Sequence, residues 1–163
     1  MSAQHDQQTG PLSQHATCIA LGETGILLRG GSGAGKSDLA FRLMQGRWQA
    51  KLVADDQTLV TREGDALWAS APPVLSGLLE LRGLGLLQVT PLARVRLQLV
   101  VELVPRDHVP RIPEPAAISL CGLSLPRLSL HAFDVTAPDK VGLAAVLIPA
   151  HGFPGDDGVI GRI

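Results

Sequence analysis

Short apolar blocks recur along this chain, each closed by glycine, proline or charge. Ile26-Leu27-Leu28 is one such block and predicts a short buried strand. Beyond a glycine-rich gap, Leu39, Ala40, Leu43 and Met44 fall on one face of a predicted helix that Gly46 would end. Upstream, His15 to Leu21 predicts a strand, and Gly22-Glu23-Thr24-Gly25 a turn that folds it back as a hairpin. Lys51 to Asp56 predicts a buried strand that ends in two carboxylates. Gln57 to Arg62 and Ala66 to Ser70 flank Glu63-Gly64-Asp65 as a second hairpin. Pro72-Pro73 interrupts, and Val74 to Leu79 predicts one or two helical turns. Val95, Leu97, Leu99, Val101 and Leu103 alternate with Arg96, Gln98 and Glu102, Val100 being the exception, which predicts a half-buried strand.

The four prolines between Pro105 and Pro115 predict a mobile loop. Ala117 to Leu123 and Leu125 to Leu130 read as strands. Thr136 can cap a last helix, with Pro138 in its first turn and Val141, Ala144, Ala145 and Ile148 on its buried face. Strands outnumber helices and short turns join several of them, so the βαβα alternation of a doubly wound sheet is missing. The expected fold class is therefore α/β, a mixed sheet with few helices. A loose lead-in is expected over residues 1–14, one domain over 15–150 and a flexible tail over 151–163.

Composition narrows the function. With 163 residues, 45% hydrophobic and 18% charged, the chain can bury a core as one domain. A net charge of −1 provides no basic footprint for nucleic acid, and 3% aromatic residues with no Tyr leave little for stacking single-stranded bases. The apolar runs at Leu97–Val104 and Gly142–Ala150 are too short to cross a bilayer, and Met1 to Gly10 lacks the apolar core of a signal peptide. A cytoplasmic protein with no membrane or nucleic-acid partner is expected, and Cys18 and Cys121 are expected to be buried, reduced thiols.

The glycine-rich gap carries the chemistry. Gly30-Gly31-Ser32-Gly33-Ala34-Gly35-Lys36-Ser37 fits the phosphate-loop pattern G-x-x-x-x-G-K-[ST] between a strand and a helix. Glycines let successive N–H groups turn inward around phosphate oxygens, Lys36 supplies a point charge, and the Ser37 hydroxyl suits Mg²⁺. A glycine-rich turn with no ligand is the bland alternative, and the strand–loop–helix context argues against it. ATP with Mg²⁺ is the expected ligand pair.

Phosphoryl transfer also needs a base for the acceptor's proton and positive charge for the transition state. Asp55 and Asp56 end the strand after the phosphate-loop helix, where α/β sheets open onto their ligands. Adjacent residues on a strand point opposite ways, so one can bind metal or orient the other. A solvated surface turn is the competing reading. Glu80 and Arg82, among glycines, could be a local ion pair or part of the site. Glu102 is a lower-ranked metal-supporting carboxylate, and Arg106 or Arg111 could swing in from the proline-rich loop.

These positions resemble the catalytic domain of the bacterial HPr kinase/phosphorylase family. Gly31-Ser32-Gly33-Ala34-Gly35-Lys36-Ser37-Asp38 matches its phosphate loop, Leu52 to Asp56 its Leu-Val-Ala-Asp-Asp strand end, and Leu79-Glu80-Leu81-Arg82-Gly83-Leu84-Gly85-Leu86 its LEIRGLGI-like signature. His15 precedes the loop at the family's spacing, and the similarity runs from about His15 to Ile148. The resemblance implies a P-loop kinase fold of this type, with Asp56 as the base toward a serine, Ser37 and Glu80 holding Mg²⁺, and His15 assisting. Arg111 best matches the family's loop arginine. It also implies an HPr-like phosphocarrier protein as substrate and assembly into a homo-oligomer.

Three departures bear on activity. The additional N-terminal domain of full-length members has no counterpart, so a short form is expected. The family's Pro-Val-x-x-Gly-Arg-Asn run, tied to phosphorolysis, gives way to Leu125-Pro126-Arg127-Leu128-Ser129-Leu130, and Gln88 replaces an acid that usually follows the Glu-x-Arg-Gly signature. Kinase activity is thus expected over phosphorylase activity. A P-loop kinase of small molecules and a non-catalytic nucleotide sensor are the alternatives, and Asp55-Asp56 with Glu80 argues against the sensor.

Overall fold

A computed structural model describes residues 10–161. The strands are β1 (Leu12–Gln14), β2 (Ala16–Leu21), β3 (Thr24–Arg29), β4 (Lys51–Ala54), β5 (Thr58–Glu63), β6 (Ala66–Ser70), β7 (Leu78–Leu81), β8 (Gly85–Gln88), β9 (Val95–Leu103), β10 (Ala117–Leu120) and β11 (Leu123–Leu130). The helices are α1 (Lys36–Gln45) and α2 (Ala137–His151). A curled mixed sheet runs β1-β5-β6-β9-β3-β2-β4, with β11 also on β9 and β10 beside β11. β7 and β8 form a separate hairpin. The expected fold class, a mixed sheet with few helices, is the one observed.

Strand β9 is the hub, because three strands share it. Its edge against β3 is parallel, with Leu27 opposite Val100 and Leu28 opposite Val101. On its other side β6 pairs antiparallel at Val95 and Arg96, and β11 pairs parallel from Val100 to Leu103. The register against β3 slips between Gly25 and Ile26, which face Leu97 and Leu99. That bulge at Gln98 swaps the faces of β9. Val95, Leu97 and Val100 join one apolar cluster, with Cys18, Leu27, Val53, Val60 and Leu67. Leu99, Val101 and Leu103 join the other, beneath α1 and α2, with Ile19, Ile26 and Leu28. The half-buried reading of this strand is corrected accordingly. Leu99, Val100 and Val101 are all buried, and Val100 broke the alternation because both faces are covered. Gly25 permits the approach, since a Cβ there would lie 2.5 Å from the Arg96 carbonyl oxygen.

Both helices cover one face of the sheet. α1 buries Leu39, Ala40 and Leu43 on the stripe the sequence predicts, and Gly46 ends it in an extended conformation. α2 buries Val141, Ala144, Ala145 and Ile148 and follows Thr136, whose side chain makes no capping bond. Two local expectations change. Leu12–Gln14, inside the expected lead-in, pairs with β5, whereas the rest of that expectation, over residues 1–9, lies outside the described residues. Pro73–Leu75 forms a single 3₁₀ turn, and Gly77, at φ 76°, turns the chain into β7 in place of a second helical turn. Beyond α2 the described tail has no regular structure, yet Phe153 packs on the helix-side core.

Candidate functional site

The phosphate loop leaves the C-terminal end of β3 beside β9. Gly30 lies close to β9, where a Cβ would come within 3.0 Å of the Leu103 carbonyl oxygen. Gly33 and Gly35 adopt left-handed φ values of 81° and 95°, and Gly35 is the residue that starts α1. The Lys36 ammonium donates to the carbonyl oxygens of Gly30 at 2.8 Å and Gly31 at 3.0 Å. The lysine is thereby pinned along the loop's inner edge, next to the positive end of α1. Ala34 instead packs toward the helix-side core.

The two aspartates at the end of β4 have opposite environments. Asp55 is buried at 7% exposure. Its Oδ1 accepts from Thr17 Oγ1 at 2.9 Å and from Ser37 Oγ at 2.7 Å, and its Oδ2 accepts from the Glu80 backbone N–H at 3.1 Å. One carboxylate thus joins β2, the phosphate loop and β7. Asp56 turns away at φ 63°, in the left-handed region that aspartate tolerates better than most residues. Its side chain is 72% exposed, and His15 Nδ1 lies 3.4 Å from its Oδ1. Sequence reasoning missed Thr17. It is fully buried, and a threonine inside an apolar strand gives no sign that its hydroxyl meets a residue 38 positions away.

The loop forms the floor of a cleft of about 480 Å³ that Asp56, Glu80 and Arg82 also line. The structure therefore brings Ser32, Gly33, Gly35, Lys36, Ser37, Asp56 and Glu80 to one cavity, with Asp55 behind Ser37 and His15 beside Asp56. Among the described residues no ion pair joins Glu80 to Arg82. Arg111 is exposed on its loop and is not a lining residue, whereas Arg82 is one. The other candidates are engaged elsewhere: Glu102 pairs with Arg29 at 3.3 Å, and Arg106 with Asp134. Among the described residues no three His, Cys, Asp or Glu side chains converge as a ready metal cage. Ser37, Asp55 and Glu80 do offer the sparse oxygen ligands that Mg²⁺ takes together with substrate phosphates. Phe41 and Phe133 add aromatic surface. Away from the cleft, Cys18 is buried and Cys121 half-buried, both are free thiols, and burial pushes the Cys18 thiol up, out of reach of ionisation at neutral pH.

The profile described as HPr Serine kinase C-terminal domain matches residues 7–112. The chain belongs to this family. HPr kinase/phosphorylase from Burkholderia lata is 35% identical over an alignment of 128 residues that covers 72% of this chain. The protein of the same name from Burkholderia cenocepacia is equally similar. The chain spans 39% of the length of these relatives. The structure of the Hpr(Ser) kinase/phosphatase from Coxiella burnetii shares the fold at a TM-score of 0.71 and 23% identity, covering 80% of this chain and 91% of that one. The family match thus takes in the loop, both aspartates and the β7–β8 hairpin, and stops before β10, β11 and α2. None of the described helices is long and apolar enough to cross a membrane.

Proposed function

We propose that this chain is an ATP- and Mg²⁺-dependent kinase, active in the cytoplasm, that phosphorylates a serine of an HPr-like phosphocarrier protein. The observation that supports it most is the division between the two aspartates. Asp55 is held by three hydrogen bonds and touches Ser37, while Asp56 is free to meet an incoming hydroxyl. A site that only binds nucleotide has no use for the second carboxylate.

In this reading the loop N–H groups and Lys36 hold the phosphates. Mg²⁺ would neutralise phosphate charge and would be held by Ser37 and Glu80, with Asp55 behind Ser37. The acceptor serine oxygen forms its bond to the γ-phosphorus as the bond to the β–γ bridging oxygen breaks and ADP leaves. The serine proton passes to the Asp56 carboxylate, and His15, 3.4 Å away, orients that carboxylate or steadies its charge. Arg82 lines the cleft and in this reading would be the cation that meets the transferred phosphate. Arg111, which the family resemblance assigns to that task, is exposed and does not line the cleft. Forward transfer is favoured over phosphorolysis because the stretch tied to the reverse reaction is replaced in β11.

The test is to incubate the pure protein with γ-labelled ATP and the HPr-like proteins of its source, then map the modified residue. Phosphoserine on one of them supports the reading. Label on a small molecule alone, or bound ATP with no transfer to any acceptor, overturns it.

A further inference from the structure

Phe133 has an unusual position for an aromatic side chain in so aromatic-poor a protein. The chain has three phenylalanines and no tyrosine. Phe153 packs on the core, but Phe41 and Phe133 both line the cleft of the phosphate loop. Phe133 remains 55% exposed there, so its ring contributes little to the core, and leaving it in water forgoes burial.

The backbone that carries this ring is nevertheless fixed from several sides. Arg42, on α1, donates to the carbonyl oxygens of Ala132 and Asp134. The Asp134 carboxylate pairs with Arg106 and Lys140. His131 holds the Val104 carbonyl oxygen at 2.9 Å, and its ring meets Phe133 edge-on, with centroids 5.8 Å apart. The ring also abuts the phosphate loop: a Cβ on Gly35 would lie 2.9 Å from Phe133 Cζ. A rigid, exposed aromatic face therefore stands next to the start of α1. Asp56 and Glu80 belong to a different wall of the cleft, tied to β2 and β4 through Thr17 and Asp55.

We propose that Phe133 is the platform on which the base of the bound nucleotide stacks, with Phe41 completing the apolar end of the cleft. This rests on the nucleotide reading above and adds the direction in which the nucleotide lies. The phosphate chain runs along Gly33 to Ser37, its γ end turns toward Asp56, and its base end turns toward Phe133. Every base has a π-face, so stacking adds affinity with little demand for a particular base.

The test compares a ligand that has a base with one that does not. Binding of ATP and of inorganic tripolyphosphate, each with Mg²⁺, is measured by calorimetry for the wild-type chain, Phe133→Ala and Phe133→Trp. Phe133→Ala should lose ATP affinity by about 5- to 100-fold, the range for removal of one stacked aromatic, and should bind tripolyphosphate within about twofold of wild type. Phe133→Trp should keep ATP affinity, and its added emission, over that of Trp48 and Trp68, should change with ATP and not with tripolyphosphate. Equal losses for the two ligands would make Phe133 a support for the loop and overturn the stacking role. Unchanged ATP affinity in Phe133→Ala would also overturn it, leaving the nucleotide reading intact. A wild-type chain that binds neither ligand would overturn both.

Discussion

The two walls of the cleft are built on different principles. On the loop side, Lys36 and Ser37 line the cleft and are hydrogen-bonded to the loop backbone and to Asp55, which packs with Thr17 behind Ser37. On the other, Asp56, Glu80, Arg82 and Leu84 project into solvent from a left-handed residue and a two-stranded hairpin. The packed wall suits groups that must hold a fixed geometry before substrate arrives, since preorganised dipoles do not reorganise during reaction. The open wall suits groups that meet a second, large reactant. Adjacent residues, Asp55 and Asp56, sit on opposite sides of this division.

Removing charge from the packed wall should have the largest effect on activity. Lys36→Ala should lower phosphoryl transfer by about 10²-fold or more, in line with the loss of a principal electrostatic contact, while circular dichroism remains that of the folded protein. Asp55→Ala should affect activity and stability together. It strips the acceptor from two hydroxyls and a backbone N–H, which should cost about 2–3 kcal/mol and lower Tm by roughly 5–10 °C in thermal melts. Glu80→Gln, on the open wall, should leave Tm within about 1 °C, because its side chain is exposed and its structural bond is made by the backbone. Its effect should be a severalfold higher Mg²⁺ requirement with a smaller change in the ATP requirement. An unchanged Mg²⁺ titration would return Glu80 to the role of a solvated charge.

The same division separates what the chain's pattern revealed from what it hid. The phosphate loop, the strand before it and the stripe of Leu39, Ala40 and Leu43 were legible because each depends on neighbours within a few positions. The end of β4 was legible as a place for carboxylates, but not the different fates of the two. That split depends on Thr17 across β2 and on the Glu80 backbone, contacts 38 and 25 positions away. The β7–β8 hairpin was hidden for a different, local reason. Its glycines mark a turn, yet the strand character of Leu78–Leu81 rests on pairing with Gly85–Gln88 across that turn, while Val74 to Leu79 also fits helical turns. In β9 the alternation was visible and its meaning was not, since a bulge at Gln98 and cover on both faces cannot be read from one strand's polarity. The segment that carries Phe133 follows β11, and nothing local links it to a loop a hundred residues earlier.

The division of labour between Asp55 and Asp56 is tested most directly by measuring ATP affinity and serine phosphorylation side by side in Asp56→Asn. A serine hydroxyl is a poor nucleophile, and general-base help is worth about 10²–10⁴-fold. In the proposed mechanism ATP binding rests on the loop and Lys36, and a carboxylate near the γ-phosphate would oppose it slightly. Asp56→Asn should therefore keep wild-type Tm and equal or tighter ATP binding while transfer to the protein serine falls by at least about 10²-fold. Transfer that survives in Asp56→Asn and collapses in Asp55→Asn at unchanged Tm would contradict the assignment.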